Sequence, residues 1–347
     1  MIMDNNSRLA NILEFIKENP GLSSKEIFNE LQSVAAYATI KRDLAKLLAD
    51  KRIVAQGQGK ASRYIVPSKL FLPVNLDEYF QNDEHNRKAQ EVYDFDLITG
   101  ILSNTSLFKQ QELIYLDALQ KKFTTSIAGL PQSLYLKEME RLSIDLSWKS
   151  SQIEGNTYSL LETEHLLKEK ETAAGKTKDE AIMLLNHKDA IDFILAHRDY
   201  LVPLTIAKIE DIHSILIKEL NVDRNIRTRR VGIIGTNYRP IDNEFQIRDE
   251  LNNLCTLVNS KENVFEKALL ALVLLSYIQP FNDGNKRTAR IVSNSILLAN
   301  DCCPLSFRSV SAIDYKKAML LFYEQNNITA FKQIFIEQFE FAVNTYF

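Results

Sequence analysis

One stretch near the C-terminus collects residues whose types and spacing could do chemistry. It reads QPFNDGNKRTAR, runs from Gln279 to Arg290, and follows a strongly apolar segment that is predicted to be a buried helix. Gly284 and Asn285 come just before a second predicted helix that begins near Lys286. The free N–H groups and the positive dipole end of a helix N-terminus bind anions. The sequence therefore predicts an anion site at this turn.

The charged side chains of the stretch indicate which kind of anion would bind. Lys286, Arg287 and Arg290 are cations, and the two arginines share a helical face because they are three residues apart. Asp283 would repel a bare phosphate, but its carboxylate could hold a magnesium ion that bridges phosphates. This combination favours a nucleotide polyphosphate. It is not a Walker A loop, since GxxxxGK[ST] occurs nowhere in the chain.

The stretch resembles the signature of the Fic family, H-x-F-x-[D/E]-G-N-[G/K]-R-x-x-R, at every position except the first. The matching residues are Phe281, Asp283, Gly284, Asn285, Lys286, Arg287 and Arg290. Members of this family transfer AMP from ATP to a protein hydroxyl, so the resemblance implies ATP and Mg²⁺. It assigns the metal to Asp283 and the γ-phosphate to Arg290. It assigns the α- and β-phosphates to Gly284, Asn285, Lys286 and Arg287. Tyr315 lies where the family often places an adenine contact, with a core aromatic as the alternative.

The first signature position holds Gln279, where the family keeps the histidine that takes the hydroxyl proton. An amide can orient a hydroxyl but cannot accept its proton, and loss of a general base typically costs about 10²–10⁴-fold in rate. None of the histidines is expected to replace it; these are His85, His165, His187, His197 and His213. The expectation is a severe defect in transfer, with nucleotide binding retained.

A second segment, SSQIEGN from Ser150 to Asn156, resembles the inhibitory motif [S/T]-x-x-x-E-[G/N] of the same family, placed before the catalytic core. Glu154 falls at the end of a predicted helix, where the interaction of a carboxylate with the negative end of the dipole costs about 0.3–1 kcal/mol. Such a position favours a cationic partner. The resemblance names Arg290 as that partner. The pair would block the γ-phosphate, and Ser150 is expected to hydrogen-bond to Glu154. An exposed surface glutamate is the alternative.

A third segment, RTRRVGIIGTNYRP from Arg227 to Pro240, is similar to the family's flap, a hairpin that docks a target segment as an extra strand. It is called the flap below. Its β-prone centre predicts a small hairpin that turns at Gly235-Thr236. The residues predicted to dock a target are Arg230, Val231, Gly232, Ile233, Ile234, Gly235 and Thr236.

The N-terminal residues predict a separate module. Apolar residues recur with helical spacing, Ser23 and Glu26 fit a capping box, and Pro20-Gly21 ends the first helix. Three predicted helices precede two short β-prone runs around a glycine-rich turn. This order within about 65 residues indicates a winged helix-turn-helix.

In a winged helix the third helix enters the major groove and the wing lies along the phosphates. Residues 1–67 carry ten Lys or Arg against seven Asp or Glu, although the whole chain has a net charge of −3, so any DNA contact is expected here. The residues predicted to contact DNA are Tyr37, Thr39, Lys41, Arg42, Lys60 and Arg63. A winged helix used only for protein contacts is the alternative.

A length of 347 residues suits two or three domains. The predicted fold is mainly α: a winged helix-turn-helix over 1–67, a connector and helical extension over 68–134, and an all-helical Fic domain over 135–347. The inhibitory helix is expected at about 137–155. Three cysteines without a CxxC pair, and the absence of a signal peptide or membrane-length apolar run, predict a cytoplasmic protein without membrane contact.

Three functions fit these features. The first is an autoinhibited adenylyltransferase, that is, a nucleotidyltransferase, weakened by Gln279. The second is a pseudoenzyme that binds nucleotide and acts as a DNA-binding transcription regulator. The third is an architectural DNA-binding protein whose helical domain only dimerises, which the intact anion turn disfavours. The family also includes phosphocholine and UMP donors, and self-modification and a homodimer both remain open.

Overall fold

The computed structural model describes residues 5–31, 35–50, 52–57, 59–66, 68–87 and 89–347. The chain divides into two compact units, Met1–Pro73 and Val74–Phe347. The division falls shortly after residue 67, at which the sequence placed its first boundary. Each unit is described by itself.

The first unit has the order of elements that its sequence predicts. Helices α1 (Asn5–Glu18), α2 (Ser24–Leu31) and α3 (Tyr37–Ala49) come first. Strands β1 (Val54–Gln56) and β2 (Arg63–Ile65) then pair as an antiparallel hairpin. In the described residues of this unit, three α-helices are therefore followed by a two-stranded sheet.

The helices of the first unit pack around one small apolar core. Ser23 and Glu26 form the predicted capping box at α2, with Ser23 N donating to Glu26 Oε2 at 2.7 Å and Glu26 N donating to Ser23 Oγ at 3.3 Å. Arg8 in α1 pairs with the buried Asp43 in α3, with Nε and Oδ2 2.6 Å apart. The buried core residues are Leu9, Ile12, Ile16, Ile27, Ile40, Leu44, Leu47 and Ile53.

The second unit is helical, which confirms the predicted mainly α class. Its α-helices are α4 (Leu76–Phe80), α5 (Gln110–Ala128), α6 (Gln132–Ile153), α7 (Leu160–Glu169), α8 (Lys178–Ala196), α9 (Ile206–Leu216), α10 (Glu244–Ser260), α11 (Val264–Ile278), α12 (Asn285–Ala299), α13 (Ala312–Gln325) and α14 (Thr329–Tyr346). A π-helical turn covers Leu97–Leu102. Among the residues described, no helix has both the length and the apolar character needed to cross a bilayer.

Helices α11 and α12 form the centre of the second unit. They pack against each other and are surrounded by α6, α8, α9, α10 and α13. Every residue from 268 to 281 is buried, and so is most of α12. A helix that is buried all round belongs to the core of a large domain. The two arginines of α12 therefore lie in the interior, where a charge needs a partner.

The flap differs from the predicted hairpin. The chain turns at Ile234-Gly235, one residue earlier than expected, with Gly235 at φ 85°. Within the described part of this segment no strand ladder forms, and its bridge is a parallel one between Arg239 and Val92. The physical reason is that a lone two-stranded hairpin is marginal in water. Contacts from other parts of the unit hold the flap instead.

Candidate active site

The turn between α11 and α12 is shaped by two residues with positive φ. Gln279 ends α11 at φ 52°, and Gly284 begins α12 at φ 82°. A side chain at position 284 would also place its Cβ 3.3 Å from the His213 ring, so both the positive φ and the close contact favour glycine there. Within the described residues, no side chain caps the start of α12. Its first N–H groups can therefore face an anion, as the sequence predicts.

Asn285 and Phe281 fix the shape of this turn. The Asn285 side chain accepts from Phe281 N at 2.8 Å and donates to Phe281 O at 2.7 Å. The Phe281 ring is buried and stacks on His213, with centroids 3.7 Å apart and planes inclined by 4°. Asn285 therefore fixes the turn by hydrogen bonds within it, and His213 of α9 supports it by stacking on Phe281.

His213 is a supporting residue that sequence reasoning missed. Its Nε2 lies 2.9 Å from the carbonyl oxygen of Asp283, and its Nδ1 lies 3.3 Å from that of Arg224. Burial lowers the pKa of His213, although both carbonyl contacts act in the opposite direction. The signal that the sequence offered was a histidine on the apolar face of a segment with helical spacing.

A cavity of about 350 Å³ opens over the turn, within the size range of small-molecule sites. Its wall combines the end of α6, the flap, the turn itself and α13. The lining residues include Glu154, Val231, Gly232, Ile233, Ile234, Gln279, Asp283, Gly284, Asn285, Lys286, Arg287, Tyr315, Met319 and Tyr323. Segments far apart in the sequence thus meet at one cavity.

Glu154 lies beside the cations of α12. Its Oε1 is 2.7 Å from Arg290 Nη2, and its Oε2 is 3.5 Å from Lys286 Nζ. The Arg290 side chain is fully buried, whereas that of Glu154 is 20% exposed. Burial by itself raises the pKa of Glu154, but Arg290 and then Lys286 outweigh it and hold this pKa below its usual range. Glu154 caps the end of α6, and Gly155 follows at φ 104°.

The sequence predicts a hydrogen bond from Ser150 to Glu154, but Ser150 contacts Arg290 and His187 instead. Its Oγ accepts from Arg290 Nε at 2.8 Å, its carbonyl oxygen accepts from Arg290 Nη2 at 3.0 Å, and its Oγ lies 2.7 Å from His187 Nε2. The side chain points across the interface to α8 and α12 rather than along its own helix. Burial, followed by the charge of Arg290, lowers the pKa of His187 well below its usual value, so the ring is neutral. Ser150 thus orients the cationic partner of Glu154.

Asp283 stands at the mouth of the cavity. Its Oδ2 is 3.1 Å from Arg287 Nη2, and its Oδ1 accepts from Gly284 N at 2.6 Å. The Asp283 side chain is 62% exposed, while that of Arg287 is almost fully buried. The Asp283 carboxylate therefore pairs with the buried Arg287 and is itself accessible to solvent.

Gln279 is buried at the base position. Its Nε2 donates to Ser276 O at 2.6 Å, and its Oε1 accepts from Asn285 Nδ2 at 3.1 Å. Both ends of the amide are therefore engaged by the protein. Neither end can take up a proton near neutral pH.

Tyr315 lines the cavity but is fully buried. The Arg290 guanidinium lies 5.3 Å from the centroid of its ring, and Phe307 and Phe331 pack edge-on against it. The ring supports Arg290 through a cation–π contact. A contact with adenine stays a prediction.

The buried Arg227 anchors the flap at both ends and was also missed. It donates to Gln279 O at 2.6 Å, to Arg229 O at 3.0 Å and to Ile241 O. The central flap residues line the cavity, whereas Arg230 is exposed and pairs with Asp242 at 2.7 Å. The flap is thereby tied to the end of α11.

In the first unit, the residues predicted to meet DNA lie on α3 and β2. Tyr37, Lys41 and Arg42 are exposed near the start of α3, with Lys41 Nζ 5.8 Å from the Tyr37 ring centroid. Thr39 is half-buried on the same helix, and Arg63 is exposed on β2. The side chain of Lys60 lies outside the described residues.

Comparison with known proteins points to one family. Residues 203–297 match the Fic/DOC family. The chain is 26% identical over 248 residues to "Protein adenylyltransferase Fic" of Nematostella vectensis, covering 66% of this chain and 57% of that protein. It is 29% identical over 192 residues to the protein of the same name in Aedes aegypti, covering 52% and 36%. The chain thus spans between about a third and three-fifths of these two relatives.

Solved structures share the fold. Fic-1 (aa134–508) from C. elegans superposes with a TM-score of 0.59 at 22% identity, covering 72% of this chain and 73% of that one. A Fic domain containing signaling protein from Bacteroides thetaiotaomicron gives 0.56 at 18% identity, covering 67% and 95%. These likenesses show a shared fold, and the Fic domain rests on the match of residues 203–297 to the Fic/DOC family, a range that includes the signature turn.

Proposed function

We propose that this protein transfers AMP from ATP to a protein hydroxyl, that Glu154 inhibits it, and that Gln279 weakens it. The observation that carries this proposal is the 2.7 Å contact of Glu154 with Arg290 in a cavity built by the signature turn. The names of the relatives support the reaction class. The target is a protein of unknown identity, and the chain itself is one candidate.

The phosphates of ATP would lie over the start of α12. Its N–H groups, with Lys286 and Arg287, would hold the α- and β-phosphates, and Arg290 would hold the γ-phosphate. Asp283 fits a magnesium site, because Mg²⁺ is usually bound through one or two carboxylates together with substrate phosphates. The ion would neutralise charge on the phosphates. No group of three or more His, Cys, Asp or Glu side chains suited to a metal occurs among the described residues, so Asp283 would supply the protein ligand.

Inhibition follows from competition for one guanidinium. While Glu154 occupies Arg290 and Lys286, its negative charge stands where the γ-phosphate would lie. Two anions at that place would repel each other, so ATP would bind weakly or in an unproductive pose. Removal of the Glu154 carboxylate would free both cations.

The reaction forms a bond between the target oxygen and the α-phosphorus, and it breaks the bond from that phosphorus to the oxygen bridging to the β-phosphate. Pyrophosphate leaves, and the hydroxyl proton must be accepted. Gln279 orients the hydroxyl at best, because its amide is already hydrogen-bonded to Ser276 and Asn285. The proton would therefore pass to water, at a rate about 10²–10⁴-fold below that with a histidine base.

The flap would align the target. The flap forms no ladder of its own in the described residues, so its N–H and C=O groups could pair with an added strand. Val231 and Ile233 lie at the cavity, beside the turn that would hold the phosphates. A docked hydroxyl would then lie near the α-phosphate.

A second candidate function is that of a DNA-binding transcription regulator that binds nucleotide without catalysis. The Gln279 amide favours it because it cannot act as a base, as do the exposed cations on α3 and β2 in the first unit. Nucleotide would then act as a signal rather than a substrate.

One assay separates the two functions. The wild type, Glu154→Gly, and Glu154→Gly with Gln279→His are incubated with α-labelled ATP and magnesium. We expect faint labelling of protein by Glu154→Gly and about 10²–10⁴-fold more once the histidine is present. Arg290→Ala in the same background serves as the control that removes the γ-phosphate contact.

The outcomes decide between the proposals. Absence of label from every variant, together with measurable ATP binding by Glu154→Gly, would exclude transfer and favour the regulator. Absence of ATP binding by Glu154→Gly would exclude both.

A further inference from the structure

Another buried cation, Arg87, contacts the flap at its turn and is not among the residues that line the cavity. Its Nη2 donates to the carbonyl oxygen of Gly235, which is in the flap turn. The Arg87 side chain is only 7% exposed. A buried guanidinium without catalytic contacts needs a structural partner and a reason to be there.

Its partner is Glu324, near the end of α13. Arg87 Nη2 lies 2.9 Å from Glu324 Oε1, and Arg87 Nε lies 3.1 Å from Oε2. Tyr79 also donates to Oε2, at 2.6 Å. The Glu324 side chain is fully buried. A buried pair survives its desolvation cost only with good geometry and extra hydrogen bonds, and this pair has both.

Neighbouring contacts fasten the same side of the flap. Asn237 Nδ2 donates to Glu84 O at 3.0 Å, and Arg239 N donates to Glu91 O at 2.8 Å. The flap turn and its C-terminal arm are thus tied to the segment that contains Arg87. Since the flap has no ladder of its own among the described residues, these ties and those of Arg227 hold it in place.

Arg87, Glu324 and Tyr79 form a clamp on the flap turn, and helix α13 connects this clamp with the cavity. Tyr315, Met319 and Tyr323 on α13 line the cavity, and Glu324 follows directly. One helix therefore supplies both a wall of the cavity and the anchor for the flap that forms another wall. A change at the anchor would alter the width of the cavity.

We propose that Arg87, oriented by Glu324 and Tyr79, is a positioning residue that fixes the flap turn at the edge of the cavity and so sets its affinity for nucleotide. The ligand in this statement rests on the proposed function, whereas the hold on the flap does not. The two parts can therefore be tested separately.

The test uses the full chain with Glu154→Gly as the parent, so that the inhibitory carboxylate does not mask binding. Arg87→Ala is compared with Arg239→Ala, a matched control that removes an arginine of the flap whose side chain is 78% exposed and 3.8 Å from Glu91. Arg87→Lys keeps the charge but loses the fork that reaches Gly235 and Glu324 together. Hydrogen exchange of flap amides 231–236 and calorimetry with ADP are measured for each variant.

We expect Arg87→Ala to exchange flap amides about tenfold faster and to bind ADP about tenfold more weakly, with Arg87→Lys in between. Arg239→Ala should match the parent in both measurements. A folded Arg87→Ala protein with unchanged flap exchange and ADP affinity would overturn the proposal. If Arg87→Ala does not fold, equal exchange in Arg87→Lys and the parent overturns it equally.

A parent that binds no ADP would contradict the proposed function and leave the clamp to be decided by exchange alone. In that case faster flap exchange in Arg87→Ala, but not in Arg239→Ala, supports the clamp. Equal exchange in both refutes it.

Discussion

At the level of single residues, the inhibitory contact depends on more than the pair that makes it. Arg290 is held on one side by Glu154, and on the other by Ser150, which in turn contacts the buried His187. Tyr315 lies beneath its guanidinium. Replacing one member of this set is expected to lower the stability of the protein, because buried polar groups of the other members would lose their partners.

Ser150→Ala tests this set. We expect it to lower the free energy of unfolding by about 1–3 kcal/mol, because Arg290 Nε would have no acceptor in the interior. Ser151→Ala is the matched control, since Ser151 Oγ is buried but has no hydrogen-bond partner among the described residues. Urea unfolding of both variants gives the comparison. Equal decreases in stability would mean that the Ser150 contact contributes nothing specific.

The coupling between Ser150 and Glu154 is measured by a double-mutant cycle. We expect the combined variant Ser150→Ala with Glu154→Gly to be destabilised by less than the two single variants added together, because both act on Arg290. Strict additivity would contradict a shared role.

The pH dependence of stability follows from the lowered pKa of Glu154. A carboxyl group whose pKa is lower in the folded state contributes stability that is complete above its ordinary value of 4.5 and disappears as the pH falls. The difference in unfolding free energy between wild type and Glu154→Gln should therefore be largest near pH 7 and shrink below pH 4.5. Thermal or urea unfolding at pH 7 and pH 4 checks it. A difference independent of pH would rule out the charged pair as its cause.

At the level of elements, the turn between α11 and α12 works because it couples a backbone shape to a helix N-terminus. Gly284 adopts a positive φ beside His213, and Asn285 hydrogen-bonds across the turn to Phe281. The N–H groups of α12 are thereby aimed at the cavity without any flexible segment in between. Preorganised donors bind without the entropic cost of ordering them.

Gly284→Ala is expected to damage this element. The new Cβ would meet His213 at 3.3 Å in a backbone conformation that alanine disfavours, so we expect a destabilisation of more than about 1 kcal/mol and weaker ADP binding. Gly232→Ala is the control, since nothing described lies within 4 Å of its added Cβ and its φ is not positive. Thermal unfolding and calorimetry measure both effects. A Gly284→Ala protein equal to Gly232→Ala would show that the turn tolerates a side chain.

At the level of the whole molecule, the chain combines two units with different charge. The first unit carries the local surplus of basic residues, and some of its exposed cations lie on α3 and β2, where a winged helix would meet DNA. The second unit holds the cavity over the signature turn. Under the proposed function the second unit would bind nucleotide, and any DNA contact is predicted for the first unit.

DNA binding by the full chain is tested with Arg42→Ala and Arg63→Ala against Lys17→Ala, an exposed lysine of α1. We expect each arginine variant to weaken binding to duplex DNA and to reduce the slope of log affinity against log salt by about 0.9 for each phosphate that the variant no longer neutralises. Lys17→Ala should leave both unchanged. Equal binding by all three variants in anisotropy titrations would favour a module for protein contacts.

The helical class, the order of elements in the first unit and the glycine turn before α12 all follow from the amino-acid sequence alone. These features depend on neighbours: apolar residues at helical spacing, a capping serine, and glycine beside a helix start all act within a few residues. The resemblance of short motifs also placed Glu154 beside Arg290, although 136 positions separate them.

Which distant side chains support those motifs was settled by the packing of the folded chain. Ser150 contacts Arg290 rather than Glu154, Arg227 ties both flap ends to α11, and Arg87 reaches Glu324 across 237 positions. The flap was expected to pair with itself, yet side chains from elsewhere hold it. Local spacing carries no information on such contacts, because they arise only when helices distant in the chain pack together and bury polar groups that must then find partners.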